Sequence, residues 1–193
     1  MKEKIINFFK QYYICIIIIV LGFLFDFLTK KIATNNLTYY IGSNKQVISA
    51  ERNVVIDGFF YFSYARNTGG GWSIFSGKMW ILISATLIAL GIFFYLLKNF
   101  DIKKRPLYSI GLSLMVAGTF GNFFDRSVYG YVTDFFDFII FGYDYPIFNI
   151  ADTLLVIGVI LLIIQIIFFY KQVKFLFETK GKQEIKEEEN NEQ

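Results

Sequence analysis

Long apolar runs broken by polar stretches set the pattern of this chain. Four of them lie at about 12–28, 79–97, 107–124 and 150–170. Each is long enough to cross a hydrocarbon core of roughly 30 Å as a helix, which takes about 17–25 residues. Their only charged positions are Asp26, near the end of the first, and Asp152, at the start of the fourth. The link between the first two runs, about 31–78, has a different pattern. Val54-Val55-Ile56 and the stretch from Phe59 to Tyr64 are β-branched and aromatic, and Asp57-Gly58 divides them, which is a hairpin signal. The pattern predicts a membrane all-α fold: four transmembrane helices with a small extracytoplasmic antiparallel β-sheet, a cradle, built from the first outer loop. Residues 1–11 are expected to form a cytoplasmic N-terminus, 12–177 the four-span membrane domain, and 178–193 a disordered cytoplasmic tail, Lys/Glu/Asn-rich and without an apolar face.

Charge orients the spans. Lys98, Lys103, Lys104 and Arg105 crowd the link between the second and third runs, and Lys171, Lys174, Lys180, Lys182 and Lys186 follow the fourth. The link between the third and fourth holds only Arg126 among several aspartates. Positive-inside bias then puts both termini in the cytoplasm and the first and third loops outside. Lys2, Lys4 and Lys10 before the first run fit a secretory signal, but no small-x-small site follows it, so it reads as a retained span.

Composition narrows the chemistry. Hydrophobic residues make up 55% of the chain and charged residues only 18%, which marks lipid as the solvent. There is no histidine, and Cys15, the only cysteine, reads as a packing residue in an apolar helix. Ser-His-Asp and Cys-His nucleophilic sites, the usual zinc sites and an intrachain disulfide are thereby excluded. No metal or other cofactor is expected. Nucleic acid is not an expected partner, because the basic residues flank apolar runs and form no stripe. Nothing in the pattern indicates an oligomeric partner.

The remaining chemistry is carboxylate chemistry. Asp125, Asp134, Asp137, Asp144 and Asp152 all lie in the third loop or at its edges. Taken alone, each has an ordinary reading. With Asn149 as N-cap, Asp152 is an N3 capping carboxylate, and Asp134 is a charge in an interfacial turn. Asp26 and Lys30 are spaced for a helical ion pair. Arg126 is either a fork of donors for a carbonyl or a salt-bridge partner for a nearby aspartate. If the third loop folds back so that Asp134 meets Asp152, the two carboxyls share one dry pocket and cannot both ionise readily. One then serves as base toward water and the other as hydrogen-bond donor. A proton-coupled transporter is the rival reading, although relay carboxylates usually sit near the membrane midplane.

Four stretches, in order and at the outer ends of the spans, are similar to signal peptidase II, the bacterial lipoprotein signal peptidases. They are Asp26-Phe27-Leu28-Thr29-Lys30, Arg66-Asn67-Thr68-Gly69-Gly70-Gly71-Trp72-Ser73, Gly121-Asn122-Phe123-Phe124-Asp125-Arg126 through Val132-Thr133-Asp134-Phe135, and Phe148-Asn149-Ile150-Ala151-Asp152. The resemblance implies an aspartic endopeptidase of the bacterial cytoplasmic membrane, with Asp134 and Asp152 as its catalytic pair. It assigns Asn67, Gly69, Asn122, Arg126 and Asn149 to substrate binding and site ordering, and Asp26, Lys30 and Asp125 to structural support. The implied substrate is a lipid-modified prolipoprotein held among membrane lipids and cut before its diacylglyceryl-cysteine on the outer side. Gly70 and Gly71 depart from the family pattern, which usually has small residues with a side chain there.

Overall fold

A computed structural model describes residues 2–41, 47–49, 52–69 and 77–174. The predicted tail at 178–193 and the stretch Gly70 to Ser73 lie outside the described residues. Four helices form: α1 (Lys2–Asn36), α2 (Met79–Leu97), α3 (Pro106–Tyr129) and α4 (Ile150–Phe168). All four are long and apolar enough to cross a membrane. α1 outruns its predicted end at residue 28, because the polar groups beyond are satisfied within the helix. The Thr29 hydroxyl donates to Phe25 O (2.8 Å), and the Thr34 hydroxyl donates to Lys30 O (2.9 Å). α3 opens on Pro106, whose missing N–H has no helical partner to lose. It runs past its predicted end to Tyr129, so Asp125 and Arg126 are helical. Gly130 ends it in the left-handed region (φ 75°), donating to Arg126 O (3.2 Å).

α3 is the central helix and packs against α1, α2 and α4. In its most apolar stretch 67% of residues are buried, against 11% in the corresponding stretches of α1 and α2. Lipid is as apolar as leucine, so helices associate in it by close approach and not by hydrophobic exclusion. Glycine provides that approach between α3 and α4. A Cβ on Gly158 would lie 2.6 Å from Gly111 O, and one on Gly118 would strike the Ala151 carbonyl. The outward faces stay apolar, with Leu21, Leu24, Leu28, Ile88, Ile92, Ile160 and Ile167 all exposed. At the end of the bundle where α2 passes to α3, Cys15, Leu97, Phe100, Tyr108, Leu112 and Val116 form a buried cluster.

The opposite end carries the sheet. The predicted hairpin forms as β3 (Asn53–Ile56) and β4 (Phe60–Asn67), turning through Gly58 at φ 72°. β1 (Tyr39–Ile41) and β2 (Val47–Ser49) make a separate antiparallel pair. The larger sheet also extends beyond the first loop. β5 (Val132–Ile140) and β6 (Tyr143–Asp144), from the third loop, complete the order β3-β4-β5-β6. The sequence pattern had not assigned these two strands. Phe60, Phe138 and Phe148 stack at the sheet, with the Phe60 and Phe138 rings 4.5 Å apart, and Phe59 meets Phe138 edge-on.

Candidate active site

Asp134 lies on β5 and Asp152 in the first turn of α4, and main-chain bonds draw them together. The N–H groups of Phe135 and Phe136 donate to Phe148 O (3.0 and 2.8 Å), and Phe148 N–H donates to Phe136 O (3.1 Å). The chain after β6 therefore returns alongside β5, and α4 begins next to Asp134. A bulge in β4 completes the arrangement. Before it Phe62 pairs with Phe136; after it Ala65 pairs with Asp134 and Asn67 with Val132. Side chains alternate faces along a strand, so the extra residue between Phe62 and Ala65 transfers Asn67 to the face of Asp134. Without the bulge Asn67 would point away. Re-aiming a side chain is what such bulges do beside functional sites.

Three asparagine amides point their N–H groups at the carboxylates. Asn67 accepts from Gly69 N–H (3.1 Å) on its oxygen, which turns its Nδ2 toward Asp134 Oδ2 (3.0 Å). Asn149 is the N-cap of α4 and accepts from Asp152 N–H (3.0 Å), leaving its Nδ2 to donate to Asp134 Oδ1 (2.6 Å) and Asn122 Oδ1 (3.2 Å). Asn122 in turn donates to Asp152 Oδ1 (2.8 Å), and Asn149 N–H reaches Asp152 Oδ2 (3.3 Å). Each oxygen of both carboxylates thus receives one donor. The capping role of Asp152 and its place in the site coexist, since the reciprocal Asn149–Asp152 cap uses only one lone pair of Oδ2.

Behind this layer lies a buried ion cluster. Lys30 Nζ stands 2.8 Å from Asp26 Oδ2 and 3.1 Å from Asp125 Oδ2, and it donates to Asn122 Oδ1 (3.1 Å). The expected i, i+4 pair is present, and Asp125 makes it a triad. The two acids also grip backbone. Asp26 Oδ1 accepts from Ala151 N–H (2.9 Å) and Asp125 Oδ2 from Thr133 N–H (3.2 Å). Ala151 and Thr133 are the residues immediately before Asp152 and Asp134. Gly121 is required here, because a Cβ would run into the Asp26 carboxylate.

Asp134 is 2% exposed. Burial first, and then the negative charge of Asp152, push its carboxyl up to about 8, against the opposing pull of Asn67, Asn149 and Lys30. Near neutral pH such a pair holds a proton between two carboxylates, one fit to donate and the other to accept. Among the described residues no group of three or more Asp, Glu or Cys side chains is placed to hold a metal ion.

This geometry has known counterparts. The family model for signal peptidase (SPase) II matches residues 18–168. The chain belongs to the signal peptidase II family. The lipoprotein signal peptidase of Bacillus pumilus is 43% identical over 131 residues, covering 67% of this chain and 83% of that protein. That of Staphylococcus aureus is 41% identical over 160 residues, covering 82% and 91%. A bacterial membrane enzyme solved by the in meso method at 2.3 Å resolution superposes with a TM-score of 0.67 at 38% identity, covering 82% of this chain and 88% of that one. Like its family, the chain is a multi-pass bacterial membrane protein and an aspartic endopeptidase. It acts on lipid-modified prolipoproteins, removing the signal peptide before the lipidated cysteine. The transporter reading falls with that membership.

Within this signal peptidase the other third-loop acids have a separate task. Asp137, buried three residues beyond Asp134, meets Arg52 Nε at 2.9 Å and accepts from the Ser63 hydroxyl (2.5 Å); Asp144 meets the same guanidinium at 2.5 Å. Arg52 ties β3 to β5 and β6, a role the sequence reading missed because nothing local to Arg52 signals it. Arg126 makes no ion pair among the described residues. Its Nη1 reaches only Asn122 O (3.5 Å), and its buried Nε has no hydrogen-bond partner there. The carboxylates of Asp152, Asp134 and Asp125 act on it through their charge.

Proposed function

We propose that Asp134 and Asp152 are the catalytic pair of this signal peptidase, acting at the extracytoplasmic surface with both chain termini in the cytoplasm. The observation that carries this reading is the joint solvation of the two carboxyls: Asp134 is buried and Asp152 half-buried, and each is met by asparagine donors whose orientation is fixed elsewhere. One carboxylate takes a proton from a water molecule as its oxygen attacks the scissile carbonyl carbon. The protonated partner donates to the carbonyl oxygen as it becomes tetrahedral. On collapse the C–N bond breaks and the amine leaves with a proton from the pair. The pair titrates as one unit.

Arg126 and the asparagines serve the substrate in this reading. The Arg126 guanidinium, which makes no ion pair among the described residues, is a rigid fork for a peptide carbonyl or the lipid ester. An apolar groove of about 540 Å³, lined by Phe59, Phe138, Phe148, Val156 and Ile157, opens beside Asp152 and matches the acyl chains in chemistry. Asp26, Lys30 and Asp125 brace the backbone that carries the pair. The orientation rests on basic residues gathered at the end opposite the sheet: Lys98, Lys103, Lys104 and Arg105 between α2 and α3, and Lys171 and Lys174 after α4.

The test is cleavage of a diacylglyceryl-modified precursor by Asp134→Asn and Asp152→Asn in lipid. Each variant is expected to lose activity by about 10⁴-fold or more while remaining folded, because the shared proton has no second carboxylate to move to. Near-parental cleavage by either one removes the pair from the mechanism.

A further inference from the structure

We infer that Lys30 is a positioning residue for peptide hydrolysis, acting on Asp152 through the side-chain amide of Asn122. This rests on the reading of Asp134 and Asp152 as the catalytic pair, and it assigns Lys30 more than a bracing role. A brace between α1 and α3 needs only the two aspartates, yet the third contact of the ammonium is with Asn122 Oδ1 at 3.1 Å. Lys30 is 4% exposed, so water does not compete for that contact. The Asn122 oxygen receives both Lys30 and Asn149 Nδ2, which leaves its amide a single orientation, Nδ2 toward Asp152 at 2.8 Å. A cation on the oxygen of an amide polarises it, and its N–H becomes a stronger donor.

The effect is directional. A stronger donor on Asp152 favours its ionised form, and the ammonium charge favours the ionised form of Asp134 as well. Among the described residues the charged groups around the pair are Asp26 and Lys30 from α1, Asp125 and Arg126 from α3, and Asp134 and Asp152 themselves. Of the two cations, only Lys30 is hydrogen-bonded into the amide network by its side chain; Arg126 meets the Asn122 main chain at 3.5 Å. Lys30 therefore holds the pair in its singly protonated state down to lower pH than the two carboxyls alone would keep it.

The experiment compares Lys30→Met and the charge-balanced Lys30→Met/Asp125→Asn with the parent, in lipid, on a diacylglyceryl-modified precursor. Thermal unfolding is recorded for each. In Lys30→Met both limbs of the pH–rate profile are expected to move to higher pH by about one unit, with kcat at pH 7 lowered about 10-fold or more and KM unchanged. In the double variant the displacement narrows, since an anion leaves with the cation, but the fall in kcat persists because Asn122 has lost its cation. Parental kcat in a folded variant of either kind, an unmoved profile in folded Lys30→Met, or failure of both to fold assigns Lys30 to structure alone and overturns the proposal. Asp134→Asn and Asp152→Asn run alongside. Activity in either sinks the pair, whereas inactivity in both with a parental Lys30 variant sinks only this inference.

Discussion

An asparagine amide is ambiguous until something takes its oxygen. In this site Gly69 N–H takes that of Asn67, Asp152 N–H that of Asn149, and Lys30 that of Asn122, so all three nitrogens face carboxylates. The donors order the acids without neutralising them, and Asp134 remains a carboxyl that folding has made weaker. That has a consequence for stability. A carboxyl raised from about 3.9 toward 8 binds its proton more tightly folded than unfolded. Its contribution is fully present below the free value and is lost, at about 1.4 kcal/mol per pH unit, as pH climbs toward the folded value. Asp134→Asn, permanently neutral, is therefore expected to unfold at a higher temperature than the parent at pH 7–8. The gap should close as pH falls to about 4. A variant equally stable, or less stable, across that whole range would contradict the raised carboxyl. On the proposed mechanism the residue that is best for hydrolysis is not the best for folding, as is usual for groups held ready for chemistry.

At the scale of elements, two features decide whether the site assembles: the bulge in β4 and the spacing of α3 from α4. The register before the bulge sets Ser63 beside Asp137, and the bulge then brings Asn67 to Asp134, so one strand serves both the Arg52 clamp and the proposed catalytic pair. The helix spacing lets Asn122 of α3 reach Asp152 of α4. Gly118 sets that spacing near the site, where its missing side chain leaves room for the Ala151 carbonyl and Leu155. Gly118→Val should force α4 away from α3, costing about 1–3 kcal/mol as an overpacked contact. Cleavage should fall by about 10-fold or more, because the Asn122–Asp152 bond lengthens before the bundle unfolds. Thermal unfolding together with the rate at saturating substrate checks this. An unchanged rate would mean that the helices can part without disturbing the pair.

For the whole molecule the question is which way it faces. If the sheet end lies outside, Phe141, fully exposed between β5 and β6, should react as Phe141→Cys with a membrane-impermeant maleimide in intact cells, in a Cys15→Ser background. Lys104→Cys, in the link between α2 and α3, should react only after permeabilisation. The opposite pattern would invert the molecule and place the pair in the cytoplasm. The sequence by itself determined the number of spans, the limits of α2 and closely those of α4, the Asp57-Gly58 hairpin, and the motifs whose residues meet beside Asp134 and Asp152. All of these depend on local composition, on spacing along one helix, or on motifs at span ends. It placed α1 and α3 too short because charged residues ended the apolar pattern, while helix hydrogen bonding and the buried Lys30 triad carried the helices onward. Tertiary structure alone decided the entry of β5 and β6 into the sheet, the bulge that turns Asn67 inward, the pairing of Arg52 with Asp137, and the link from Lys30 to Asn122. Each of these joins segments far apart along the chain. What fixes them is which buried polar group can satisfy which other, and that choice exists only once the segments have met.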